Sequence, residues 1–78
     1  MTLDQCVRGS EVQIVSINDP AHRDQLVRLG ISGGARVVCQ EKLPFGPLVI
    51  RCNRQEIAVG RKLARRIVVR RYIGALQR

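Results

Sequence analysis

The side chains that could do chemistry are few and scattered. One histidine, His22, stands between Asp19 and Asp24. No cysteine or carboxylate cluster accompanies it, and a structural metal site takes four protein ligands. The three cysteines, Cys6, Cys39 and Cys52, are an odd number without a C-x-x-C pair. That pattern is neither a disulfide framework nor a zinc motif. Each lies among apolar neighbours, where a thiol packs as a small hydrophobe, and Cys39 and Cys52 are expected to face each other across a hairpin. Ser10, Ser16 and Ser32 have no G-x-S-x-G context and no base to activate them. The glycines at 30, 33 and 34 make neither G-x-G-x-x-G nor a Walker A loop. The six acids are dispersed and show no carboxylate pair. Catalysis needs an activated nucleophile, a positioned acid–base group or a metal. The chain is therefore expected not to be an enzyme, and to use no cofactor and no metal.

What the sequence concentrates is positive charge. Fourteen Lys and Arg stand against six Asp and Glu, for a formal +8, and twelve of the fourteen are Arg. Residues 1–60 carry seven basic and six acidic groups, whereas residues 61–78 carry Arg61, Lys62, Arg65, Arg66, Arg70, Arg71 and Arg78 and no acid. A basic end on a nearly neutral body points to an acidic partner: a protein face, an anionic membrane surface or nucleic acid. Arg suits phosphate, and a small basic barrel that binds nucleic acid is the alternative reading. Against it, single-strand recognition stacks bases on aromatics, and only Phe45 and Tyr72 are aromatic. The same shortage argues against an aromatic-lined groove for proline-rich peptides. No apolar run exceeds three residues, so no segment reads as a membrane span. No apolar stretch follows Met1, so no secretory signal is expected and the default compartment is the cytosol.

These groups must be positioned by few elements. Seventy-eight residues make one domain with a thin core, too small for a TIM barrel or a doubly wound fold. Thr2 and Gln5 have capping-box spacing, which predicts one helical turn over 3–6. Residues 11–17 are β-branched and predict a strand. Its apolar phase switches from Val12 and Ile14 to Val15 and Ile17, which predicts a bulge or a strand covered on both faces near its end. Asp19 caps and Pro20 opens a helix over about 20–29, with Leu26 and Leu29 on its apolar face and Ala21 or His22 a turn or two earlier. Gly30 suits the left-handed position that ends it. Strands are predicted at 35–42, 48–52, 55–59 and 66–71, with a stiff loop at 43–47, a tight turn at Asn53–Arg54 and a helical turn over 60–65. Residues 72–78 are expected to be a frayed basic extension or a loose helical turn. About five short strands with one short inserted helix and an N-terminal helical turn read as a mainly β fold, a small SH3-like barrel, favoured over an OB-like one on length.

The order of these signals resembles the ferrous iron transport protein A (FeoA) family over about residues 2–69. The matching pieces are Thr2-Leu3, then Gly9 before the first strand. Arg28-Leu29-Gly30-Ile31 with Gly34 is similar to the family's Arg-Leu-x-x-Leu-Gly-x-x-x-Gly stretch. Pro44-Phe45-Gly46-Pro47 is similar to its Pro-Leu/Phe-Gly-x-Pro loop. Ile57-Ala58-Val59, Ala64 and Ile67-Val68-Val69 are similar to its ending. The loop is one residue shorter than that pattern, Gly60 replaces a basic or polar residue, and the Arg-rich end is atypical. The resemblance implies a cytoplasmic, non-catalytic SH3-like interaction module in bacterial ferrous iron uptake. It implies work with the FeoB membrane transporter from the cytoplasmic side, at its GTPase or membrane portion, without tight iron binding. A related domain ends iron-dependent repressors and makes protein contacts there. The contact candidates are Arg28, Phe45, Arg65, Arg66, Arg70 and Arg71. Leu29, Gly30, Pro44, Gly46 and Pro47 are expected to be structural.

Overall fold

The β-branched stretch forms β1 (Glu11–Ile17), and the capped segment after it forms α1 (Pro20–Arg28). They are followed by β2 (Arg36–Lys42), β3 (Leu48–Cys52), β4 (Gln55–Val59), the one-turn α2 (Arg61–Ala64) and β5 (Ile67–Arg71). A 3-10 turn at Leu3–Gln5 precedes them all. The computed structural model describes residues 1–72; the expectation for residues 73–78, Arg78 among them, lies outside the described residues. The strands form one antiparallel sheet in the order β4-β3-β2-β1-β5. Two register shifts interrupt its ladders, between Ile14 and Ser16 in β1 and between Cys39 and Glu41 in β2. The first is the bulge that the phase switch predicts. A bulge raises local twist and bends the strand, which lets so short a sheet wrap around its own apolar face.

That face is the core. Val12, Ile14 and Ile17 of β1, Val37 and Cys39 of β2, Leu48, Ile50 and Cys52 of β3, Val59, Ile67 and Val69 all lie inside, joined by Leu3, Cys6, Leu26, Ile31 and Ala64. The period of two along each strand puts these residues on one side.

The helix differs from its expected packing. Leu26 is its only buried residue; Leu29 is half-buried, and Ala21 and His22 are exposed. Polar Arg23, Asp24, Gln25 and Arg28 occupy most of the rest of this nine-residue helix, and Val27 is left half exposed. Its ends follow the sequence. Asp19 accepts from the Ala21 N–H at 3.1 Å, Pro20 fills the first turn, and Gly30 takes φ +88°.

The expected Cys39–Cys52 pairing is not formed. Asn53 and Arg54 both have positive φ, as a two-residue hairpin of the mirror-turn type requires. That turn sets Cys52 against Gln55, and the β2–β3 register sets Cys39 against Ile50. The thiol whose ionisation Cys39 influences is Cys6, another buried cysteine.

Candidate functional site

The six contact candidates lie on four parts of the surface. Phe45 is at the tip of the β2–β3 loop and is wholly exposed, at 104%. Arg28 is the last residue of α1, where a cation complements the helix dipole. Arg65 and Arg66 follow α2. Arg65 forms a 3.9 Å ion pair with Asp4, and the Arg66 carbonyl accepts from the Asn18 N–H at 2.7 Å. Arg70 and Arg71 end β5. Arg70 donates from Nε to the Gln13 side chain at 2.9 Å, while Arg71 is exposed beside Met1, Gln5, Val7, Glu11 and Tyr72. Arg66 and Arg70 are separated by about 13 Å of strand. The basic end is therefore two pairs at either end of β5 rather than one spot. Among the described residues, no hydrogen bond or ion pair joins Arg28 to the other five.

The structural residues explain how the loop is held. Pro44 and Pro47 have fixed φ and no N–H. The Gly46 N–H donates to the Leu43 carbonyl at 3.4 Å. Arg61, from α2, reaches across with its guanidinium: Nε donates to the Gly46 carbonyl at 3.0 Å and Nη2 to the Leu43 carbonyl. Sequence reasoning counted Arg61 only as part of the basic end. Here it fastens the loop that presents Phe45. A second such residue is Arg36, whose Nη1 donates to the Tyr72 hydroxyl at 2.7 Å while its guanidinium lies 4.6 Å from the ring centroid. No spacing signal marks either contact, because each joins residues more than a dozen positions apart.

A hollow of about 550 Å³ lies between the helices, lined by Asp19, His22, Lys62, Leu63 and Arg66 among others. Asp19 is the one buried charged residue among those described. Desolvation pushes its carboxyl up, but the hydrogen bond and charge of His22, the Ala21 N–H and Arg66 outweigh that. The carboxyl ends below its ordinary value, and His22 Nδ1 lies 3.1 Å from it. An ion-paired cap with one histidine has no nucleophile and no open ligand set. Among the described residues, no three His, Cys, Asp or Glu side chains converge where a metal could be held. The buried thiols are equally unsuited to chemistry. Desolvation and then the neighbouring Cys39 thiol push Cys6 up to about 12, and burial pushes Cys52 up as well.

A strongly bent five-stranded antiparallel sheet with one inserted helix defines a small SH3-like module. The FeoA domain family matches residues 1–71. The chain belongs to the FeoA family, and it is a non-catalytic domain of the kind associated with ferrous iron transport. It is similar to the solution structure of a FeoA protein from Chlorobium tepidum, with TM-score 0.87 and 29% identity, covering 95% of this chain and 72% of that one. It is similar to the crystal structure of an iron uptake regulatory protein (FeoA), with TM-score 0.83 and 30% identity, covering 92% and 96%. A zinc-complexed FeoA from Stenotrophomonas maltophilia, described as a prokaryotic SH3 domain protein, matches at TM-score 0.78 and 27% identity, covering 88% of each chain. A manganese-dependent transcriptional repressor shares the fold alone, at 21% identity and TM-score 0.82. None of the curated protein sequences compared matches significantly. No helix among the described residues is long and apolar enough to cross a membrane.

Proposed function

We propose that this chain is a cytoplasmic accessory module that docks on the inner side of a FeoB-like ferrous iron transporter and regulates or supports uptake. The observation that carries this reading is the family match over residues 1–71. The surface agrees with it in kind. Arg66 and Arg71 have no ion-pair or side-chain hydrogen-bond partner among the described residues. Such charges raise encounter rates with an acidic face. Arg28, Arg65, Arg66, Arg70, Arg71 and Phe45 are the proposed contacts at the transporter and the membrane beside it.

The test is a binding titration of the purified chain in parallel arms. One uses the cytoplasmic GTPase domain of the transporter from the same cell. The other uses duplex DNA and structured RNA at physiological salt. The expected result is saturable binding to the GTPase domain and only weak, salt-sensitive nucleic-acid binding. Tight nucleic-acid binding without any to the GTPase domain would replace this reading with the basic-barrel one.

A further inference from the structure

We propose that the Leu43–Pro47 loop is a fingertip that dips into the headgroup region of an anionic lipid bilayer, with Phe45 as its inserting side chain. Phe45 is the most exposed large apolar side chain of the described residues, and Leu43, 45% exposed, sits two residues away in the same loop. A lone aromatic held out in water needs a reason, and its backbone supplies one. Hydrocarbon offers no hydrogen-bond partners, so a segment that enters it must satisfy its polar backbone internally. Here Pro44 and Pro47 have no N–H to satisfy. The Gly46 N–H bonds within the loop, and Arg61 covers the Leu43 and Gly46 carbonyls. The Leu43 and Phe45 N–H groups and the outermost carbonyls are left for headgroup water.

Lipid fits this tip better than a protein pocket does. A protein interface spreads over about 800 Å² per partner around an apolar centre. No other exposed large apolar residue lies within twelve positions of the loop on either side, so the chain near the loop supplies no apolar surface around Phe45 beyond Leu43 and the two prolines. A bilayer asks only for depth and charge. No acid occurs between Lys42 and Gln55 or after Glu56, and Glu41 at the loop base lies 3.7 Å from Arg8. The formal +8 of the whole chain draws it toward anionic lipid. One aromatic plus diffuse charge gives weak, reversible attachment. The inference does not depend on the transporter reading, since its test contains no protein partner.

The experiment is sedimentation of the full chain with vesicles of phosphatidylcholine mixed with phosphatidylglycerol, and with phosphatidylcholine alone, at physiological salt. Binding to the mixed vesicles is expected, with little to the neutral ones. Phe45→Ser should fold normally, because the side chain is wholly exposed, and should bind about ten-fold or more weakly. Phe45→Trp should bind at least as well, with its emission shifted to the blue on the mixed vesicles. Wild-type chain that stays in solution would overturn the proposal. So would a Phe45→Ser chain that binds as tightly as wild type, since charge alone would then explain the attachment. Loss of GTPase-domain binding in Phe45→Ser, with no vesicle binding by either chain, would overturn it in favour of a protein pocket.

Discussion

Arg61 does with one planar group what no other residue type could do at that position. Its guanidinium spans the Leu43 and Gly46 carbonyls, and the fork geometry is what lets one side chain hold both ends of the turn. Lysine keeps the charge but is a point donor. Arg61→Lys should therefore cost about 1 kcal/mol and speed hydrogen exchange at the Gly46 N–H, with Ile50 and Val69 amides unchanged. Equal exchange at Gly46 in both chains would show that the prolines alone hold the loop. Two glycines give a second residue-scale comparison. Gly30 and Gly34 both have φ near +90°, but a Cβ at Gly30 would lie 2.8 Å from Asn53 Nδ2, whereas one at Gly34 meets nothing within 4 Å. Ala at either costs about 1–2 kcal/mol of backbone strain. Gly30→Ala should cost more, by the displacement of Asn53, and paired denaturant melts would show the order. The sequence marks Gly30 through its place after an apolar helix end. It gives no sign of Arg61, because a contact made across fifteen and eighteen residues leaves no period to read.

Elements were the more legible scale, for a physical reason. Caps, bulges and mirror turns are local, so Asp19-Pro20, the Val15 phase switch and Asn53-Arg54 each announce themselves in a few residues. Register is not local. The expected Cys39–Cys52 contact failed because the β2–β3 ladder, shifted at the β2 bulge, sets Cys39 against Ile50. What results is a Cys6–Cys39 contact sealed from solvent. All three cysteines are buried and so closed to reagent, and they should resist alkylation at neutral pH until the chain unfolds. Labelling that outpaces unfolding would mean the core opens locally. Cys6 also has a linkage consequence. Its pKa rises from 9.0 unfolded to about 12 folded, so its contribution to stability is whole below 9.0 and is lost as pH climbs toward 12. Asp19 works at the other end. Its folded carboxyl lies below the ordinary 3.8, so its contribution is present above that value and fades as pH falls past it. Asp19→Asn keeps the oxygen that caps α1 and removes the charge. Thermal melts of wild type and Asp19→Asn should converge as the pH drops below 3.8. A gap that stays constant through that range would leave the ion pair with His22 without a role in stability.

At the scale of the whole molecule the question is whether charge acts as a field or as a fitted contact. The formal +8 attracts any acidic surface within about a Debye length, ~8 Å at physiological salt, and a field does not care which arginine supplies it. A fitted contact does. The two arginine pairs at the ends of β5 make the distinction measurable, because they carry equal charge about 13 Å apart. Arg65→Glu with Arg66→Glu and Arg70→Glu with Arg71→Glu each lower the net charge by the same amount. Neither pair is needed for the fold. Arg65 loses a 3.9 Å pair with Asp4 from a side chain that is 65% exposed, and such pairs contribute ~0–1 kcal/mol. Arg70 loses one exposed bond to Gln13. If the domain docks on the transporter with its α2 end, reversal at 65 and 66 should slow association and also raise the dissociation rate, about ten-fold or more in affinity. Reversal at 70 and 71 should then slow association alone, by a smaller factor. Equal losses confined to association would mean that the arginines only steer, and that the docking surface lies elsewhere on the barrel. The SH3-like frame was readable in the sequence because it rests on periodicity and turns. The split of the basic end into two pairs was not, because like charges at either end of one strand look continuous in a sequence and are separated by that strand in the fold.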